Sequence, residues 1–249
     1  MKLKSVLLIA FLVFATIPFT MAENVENLIH EGVKAYNQGN YIQSAKLNEK
    51  ACNSGYADGC YNLGLLYQEG QGVKQNYPQA VKLFEYACNN GVAVSCHNLG
   101  SFYAEGQGVK QNYVQAAKFF EKACNGNYAE SCYNLGILYH TGSGVKKDYA
   151  KSAKFSEKAC NNGEIGGCYN LGTLYSEGQG VKQDYIQAMK FYEKACNGNY
   201  ANACHNIGVA YIKARGVKKD HSTAKEYFNK ACKLGYQQSC NAHELLNCK

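Results

Sequence analysis

The stretch Cys88-Asn89-Asn90-Gly91-Val92-Ala93-Val94-Ser95-Cys96 sets two cysteines eight positions apart with a glycine between them. The same interval separates Cys52 from Cys60, Cys124 from Cys132, Cys160 from Cys168, Cys196 from Cys204 and Cys232 from Cys240, and each pair lies 36 residues beyond the last. Twelve of the thirteen cysteines are used in this way, so one ruler measures a covalent framework and a structural repeat together. Eight residues along an unbroken helix would hold the two Cα atoms about 12 Å apart, whereas a disulfide spans roughly 4.4 to 6.8 Å. A turn must therefore fall inside every pair. A glycine marks it each time, at Gly55, Gly91, Gly126, Gly163, Gly198 and Gly235. The first cysteine then ends one helix and the second opens the next, so each staple joins neighbouring units. Closing a loop of about eight residues, such a bridge contributes on the order of 2 to 3 kcal/mol in the chain-entropy account.

Outward from the cysteines the apolar residues keep a helical period. Leu63, Gly64 and Tyr67 fall at i, i+1 and i+4, then Ala80, Phe84, Ala87 and Cys88 at i, i+4, i+7 and i+8. Two amphipathic helices per unit follow, joined by Gly70-Gln71-Gly72-Val73-Lys74-Gln75-Asn76 and its counterparts Gly106 to Asn112, Gly142 to Asp148 and Gly178 to Asp184. The last residue of this connection is always Asn or Asp, Asp220 included, which suits an N-cap for the second helix. The glycines permit positive φ where the first helix stops. Gly64, Gly100, Gly136, Gly172 and Gly208 recur inside the first helices, where Gly costs roughly 1 kcal/mol relative to Ala. Close packing is expected there, with Ala80, Ala116, Ala188 and Ala224 as the facing residues.

Lys2 and Lys4 precede the apolar run from Val6 to Ile17, followed by Pro18 and Thr20-Met21-Ala22. This is the pattern of a signal peptide over residues 1–22, cleaved after Ala22, with an uncleaved anchor as the alternative. The run is about a dozen residues, short of the roughly 20 that a bilayer requires, and no later segment is apolar enough to span one. The expectation is export to the periplasm or the medium, where the paired thiols form six disulfides. Loss of Lys2 and Lys4 lowers 26 basic residues to 24 against 19 acids, a net charge of +5. So mild a charge, without a basic run interleaved with aromatics, argues against a nucleic-acid partner. No C-x2-C occurs and the six histidines follow no ligand spacing, so neither a metal nor any other cofactor is expected. The Gly-x-Gly loops join two helices and follow no strand, which removes them as phosphate cradles. Cys248 also follows Cys240 by eight, but Asn241 to Asn247 holds no glycine or proline and reads as unbroken helix. Cys248 is expected to be free or to join another molecule in a dimer, not to pair with Cys240.

The octet Cys60-Tyr61-Asn62-Leu63-Gly64-Leu65-Leu66-Tyr67, the Gly-x-Gly-Val connection, the Ala80 position and the Lys-Ala-Cys endings at Lys122, Lys158 and Lys194 resemble Sel1-like repeats, relatives of tetratricopeptide repeats. With C-x7-C in each repeat, the chain resembles the Helicobacter cysteine-rich proteins. The expected fold is all-α: a right-handed α/α solenoid of six helix-turn-helix repeats with a C-terminal capping helix. Residues 57–236 read as five disulfide-linked 36-residue Sel1-like repeats and residues 237–249 as the cap. Residues 23–56 read as an N-terminal capping repeat closer to a plain tetratricopeptide unit. In it Gly32 reaches Tyr41 with four fewer residues than Gly64 takes to reach Tyr77, and its first helix carries no cysteine.

Solenoids of this kind present an extended concave face. With Leu63 and Tyr67 turned inward, the opposite stripe of the first helix is Tyr61, Leu65 and Gln68; its counterparts are His97, Ser101 and Ala104; Tyr133, Ile137 and His140; Tyr169, Thr173 and Ser176; and His205, Val209 and Ile212. Similarity to tetratricopeptide proteins implies that this stripe binds a peptide, a protein or a peptidoglycan-like cell-wall fragment, with an ordinary solvated face as the alternative. Asn62, Asn98, Asn134, Asn170 and Asn206 recur and read as ties between helices or as ligand contacts. Lys74, Lys110, Lys146, Lys182 and Lys218 share one loop position, a row that is either plain surface or a means of steering an acidic partner. The resembled family is also linked to binding and slow hydrolysis of β-lactams, which implies a weak β-lactamase or penicillin-binding protein as the second reading. One S-x-x-K match, Ser222-Thr223-Ala224-Lys225, is present, without S-D-N or K-T-G. It is a weak signal, since Ser222 and Thr223 as a helix start need no catalytic explanation.

Overall fold

A computed structural model describes residues 19–247. The apolar run from Val6 to Ile17 and the terminal Cys248 lie outside the described residues. Six helix pairs follow one another: α1 (Phe19–Asn37) and α2 (Tyr41–Asn53), α3 (Ala57–Glu69) and α4 (Tyr77–Asn89), α5 (Ala93–Glu105) and α6 (Tyr113–Asn125), α7 (Ala129–Thr141) and α8 (Tyr149–Asn161), α9 (Ile165–Glu177) and α10 (Tyr185–Asn197), α11 (Ala201–Lys213) and α12 (His221–Lys233). A single helix, α13 (Gln237–Asn247), closes the array. Each helix packs on its sequence neighbours, and the described residues contain no strand, so the molecule is an α/α solenoid.

Helix ends follow their cap chemistry. The Asn76 side chain accepts a hydrogen bond from the Gln79 amide (3.1 Å) to start α4, and Asn112, Asp148, Asp184 and Asp220 do the same for the later second helices. The first helices stop on a left-handed residue, Gly70, Gly106, Gly142 or Gly178; in the sixth pair the same conformation falls on Ala214 (φ 51°). The turn inside each cysteine pair departs from expectation at two places. Gly55, Gly91, Gly163 and Gly235 take positive φ, but Gly126 and Gly198 do not, and the residues that follow them, Asn127 (φ 63°) and Asn199 (φ 64°), turn left-handed instead. One register position carries the turn in all six units, and asparagine tolerates it where glycine is displaced by one. Gly126 serves packing: a Cβ on it would stand 2.8 Å from that of Ala93.

All six disulfides form between neighbouring pairs, with Cα–Cα distances of 4.5 to 4.8 Å. The glycines inside the first helices pack chiefly against rings, and at Gly172 the expected Ala188 is met as well, its carbonyl oxygen 3.2 Å from where a Cβ would stand. A Cβ on Gly64, Gly172 or Gly208 would meet Phe84, Tyr192 or Phe228 within 2.7 to 2.8 Å, and Gly100 faces Phe120. In the fourth pair Ser156 takes the ring's position, its Oγ buried with no hydrogen-bond partner among the described residues. The core is a string of clusters along the array, each spanning neighbouring pairs, as where Phe120, Cys124, Leu135 and Phe155 pack together. Of the first helices, α7 also touches α9 across the pair boundary, the contact expected on the inner side of a curved array.

Candidate functional site

The stripe position occupied by Tyr61, His97, Tyr133, Tyr169 and His205 seals joints between pairs. His97 is only 8% exposed; its ring lies 5.7 Å from that of Phe120 and 4.7 Å from that of Tyr128, the residue that opens α7. Its Nδ1 shares a hydrogen bond with Ser131 Oγ on α7 (2.9 Å). His205 repeats the arrangement with Phe228, Tyr236 and Ser239 Oγ (2.8 Å). Burial lowers both imidazoles from their ordinary value, and at His97 the Glu130 carboxylate opposes this with less effect. Tyr61 packs on Phe84, and burial raises the Tyr61 and Tyr133 phenols. Gln68 is half-buried, its backbone carbonyl accepting from Gln75 Nε2 (2.9 Å). Ser101 is half-buried on α5. The predicted stripe is thus partly consumed by packing between repeats.

What remains open includes two clefts at α9 and a separate one of about 220 Å³ between α1, α2 and α3, bordered by Val33, Tyr36, Asn48, Asn62 and Leu65. Tyr169 and Thr173 wall two adjoining clefts. The smaller, about 160 Å³, lies toward α7 and is bordered by Ile137, His140, Ser152, Asn170 and Leu174. The larger, about 300 Å³, lies toward α11 and is bordered by Ser176, Glu177, Tyr185, Met189, Tyr192, Asn206, Val209 and Arg215. Their shared wall is held by a relay: Tyr192 hydroxyl donates to Thr173 Oγ1 (3.3 Å), and Thr173 Oγ1 donates to the Tyr169 carbonyl (3.1 Å). Tyr169 is fixed further by stacking on Tyr200, centroids 4.8 Å apart. His140, Tyr169 and Thr173 are therefore brought together; Tyr133 packs beside Tyr169 and Tyr200 without bordering either cleft, and Tyr61, Gln68, His97, Ser101 and His205 do not border them either. Of the recurring asparagines, Asn62 both ties α3 to Asn48 Oδ1 on α2 through its Nδ2 (3.1 Å) and borders the cleft there, while Asn170 and Asn206 border the two clefts at α9.

Tyr185, Tyr192 and Arg215 escaped the sequence reading because they come from second helices and a connection. Arg215 left one trace: the chain's sole arginine occupies a position held by Gln71, Gln107, Ser143 and Gln179 elsewhere. Ser222 is exposed in the first turn of α12, its amide donating to the Asp220 carboxylate (2.9 Å), and neither it nor Lys225 borders the two clefts. Among the described residues no three His, Cys, Asp or Glu side chains cluster as metal ligands, and no helix is long and apolar enough to cross a membrane. The loop lysines 74, 110, 146, 182 and 218 are all exposed.

Stacked helix pairs, inter-pair disulfides and a cleft-bearing inner face define a repeat scaffold of the kind that mediates protein–protein interaction. The chain belongs to the Sel1 repeat family, whose model matches residues 57–92, 93–128, 129–164, 166–200 and 201–236. It is similar to two Helicobacter pylori proteins that carry the name β-lactamase: HcpE, 46% identical over 43 residues, and HcpC, 43% identical over 56 residues. Those matches cover 17% and 22% of this chain and only 12% and 19% of the relatives' length. Among solved structures it resembles c5321, a protective antigen of uropathogenic Escherichia coli, at 28% identity and a TM-score of 0.82, covering 88% of this chain and 48% of that one. A Sel1 repeat protein from Oxalobacter formigenes is 26% identical with a TM-score of 0.80, covering 83% of this chain and 85% of the other.

Proposed function

We propose that the chain is an exported, disulfide-stapled scaffold that binds an extended peptide-like segment, from a protein or a cell-wall fragment, along the inner face of α7, α9 and α11. The observation that carries this reading is the pair of adjoining clefts sharing the Tyr169–Thr173 wall. Extended ligands need contiguous pockets at side-chain spacing on a preformed surface, and a wall fixed by hydrogen bonds and stacking avoids an ordering cost on binding. Export is supported by the apolar run from Val6 to Ile17 and by six disulfides, which persist in oxidising compartments. Residues 23–56 act in this reading as the N-terminal cap and residues 237–249 as the C-terminal one.

Random dodecapeptides displayed on phage and selected on the oxidised chain test the proposal. Selected peptides should lose at least about tenfold in affinity when Thr173→Arg fills both clefts, with the helical circular dichroism unchanged. Retained affinity would remove the site. The hydrolase reading gains nothing from the geometry at Ser222 and Lys225. Turnover of a chromogenic cephalosporin that disappears in Ser222→Ala would put it in place of the scaffold reading.

A further inference from the structure

The larger cleft has a charge asymmetry that the repeat does not explain. Every other basic residue of the 249-residue chain is a lysine; the one guanidinium stands at the mouth of this cleft. Arg215 departs from the glutamine of three other connections, and the residue before it, Ala214, takes the left-handed conformation in which those connections have glycine. The guanidinium carbon sits 5.5 Å from the Tyr185 ring centroid, which orients the planar fork over the aromatic face. Among the described residues Arg215 makes no ion pair. Glu177 borders the same cleft but makes no ion pair with Arg215. Ser176, Thr173 and Asn206 add hydrogen-bonding groups to the same lining.

We infer that this cleft is a subsite for a free carboxylate at the end of a peptide-like ligand, held by the Arg215 fork, with the ligand's amide or ammonium donors directed to Glu177. This rests on the peptide-binding reading and names the ligand end that the larger cleft takes. A planar fork with parallel N–H donors matches a carboxylate in two-point contact, whereas a lysine in its place would act as a point charge. The negative charge of Glu177 disfavours a bare polyanion and suits a ligand that carries both signs.

One arginine gives one Nε–Hε signal, so a nitrogen-15 spectrum of the oxidised full chain reads the subsite directly. The probes are N-acetyl-tetra-alanine as the free acid, the same peptide as its C-terminal amide, and inorganic phosphate. The free acid is expected to shift the Arg215 signal saturably, the amide to bind at least about tenfold more weakly, and phosphate to bind no better than the amide. Arg215→Gln, which installs the residue of three other units, should reduce free-acid binding to the level of the amide, and Arg215→Lys should recover only part of it. Equal binding of acid and amide overturns the subsite, and so does a phosphate response as strong as the free acid's. If peptides from the phage selection still depend on Thr173 while acid and amide bind alike, the carboxylate subsite fails and the inner-face binding reading stands.

Discussion

A left-handed backbone is cheap for glycine and costs other L-residues because Cβ crowds the following carbonyl. The array exposes this cost at one place. Ala214 caps α11 at φ 51°, ψ 44°, where four preceding first helices end on glycine. Ala214→Gly is expected to raise stability by about 0.5 to 1 kcal/mol in urea unfolding; a lowered midpoint would show that the alanine is compensated by contacts. Asn127 and Asn199 avoid much of the same cost, since asparagine visits this region more readily than other non-glycine residues.

At the level of elements, the connection between helices is also the contact between units. A Cβ on Gly180 would run into the backbone of Tyr149 at the start of α8, and Gly72 and Gly144 lie as close to Tyr41 and Tyr113. Gly180→Ala therefore combines a clash between elements with a φ of +69°. It is expected to cost at least about 2 kcal/mol, against about 1 kcal/mol for deleting the N-cap with Asn112→Ala; equal thermal shifts would refute the close approach. The histidine joints between first helices respond to pH. Burial holds His97 and His205 below the ordinary 6.5, and Glu130 Oε2, 3.7 Å from His97 Nε2, opposes this as a half-exposed carboxylate. As pH falls the unfolded chain takes up these protons first. Stability is then complete above 6.5 and is lost as pH drops through that value to the depressed ones. The thermal midpoint should fall between about pH 7 and about pH 5, and less steeply in His97→Gln/His205→Gln. An unaltered slope in that variant would assign the acid sensitivity to other groups.

Over the whole molecule, stability is a sum of unit terms and neighbour terms, and the disulfides sit in the neighbour terms. Removing the Cys124–Cys132 bridge with Cys124→Ala/Cys132→Ala weakens the joint between α6 and α7. The expected loss is about 2 to 3 kcal/mol, with unfolding that separates into two steps as the halves on either side of the joint lose their coupling. A single transition at the original urea midpoint would place the coupling in the apolar clusters that span the pairs. The same one-dimensional arrangement places a binding surface where repeats differ. Clefts open at α9 and between α1, α2 and α3, while His97 and His205 pack into their own joints.

The fold was legible in the chain itself because its signals are local and repeated: an eight-residue cysteine interval cannot close along a helix, Asn or Asp stands before every second helix, and a 36-residue period multiplies each weak signal by the number of units. The expected pairing of the twelve repeat cysteines rests on that interval and the turn inside it, and the structure forms the same six bridges. The candidate site was legible only in part. His140, Tyr169 and Thr173 share one helical stripe and could be listed together, but the same periodicity listed His97 and His205, which a serine one repeat further on draws into the joints. Tyr185 and Arg215 reach the cleft from a second helix and a connection, a juxtaposition no helical period encodes. Side-chain size across the joints decides which stripe positions stay open, and that depends on residues about 34 positions apart meeting in space.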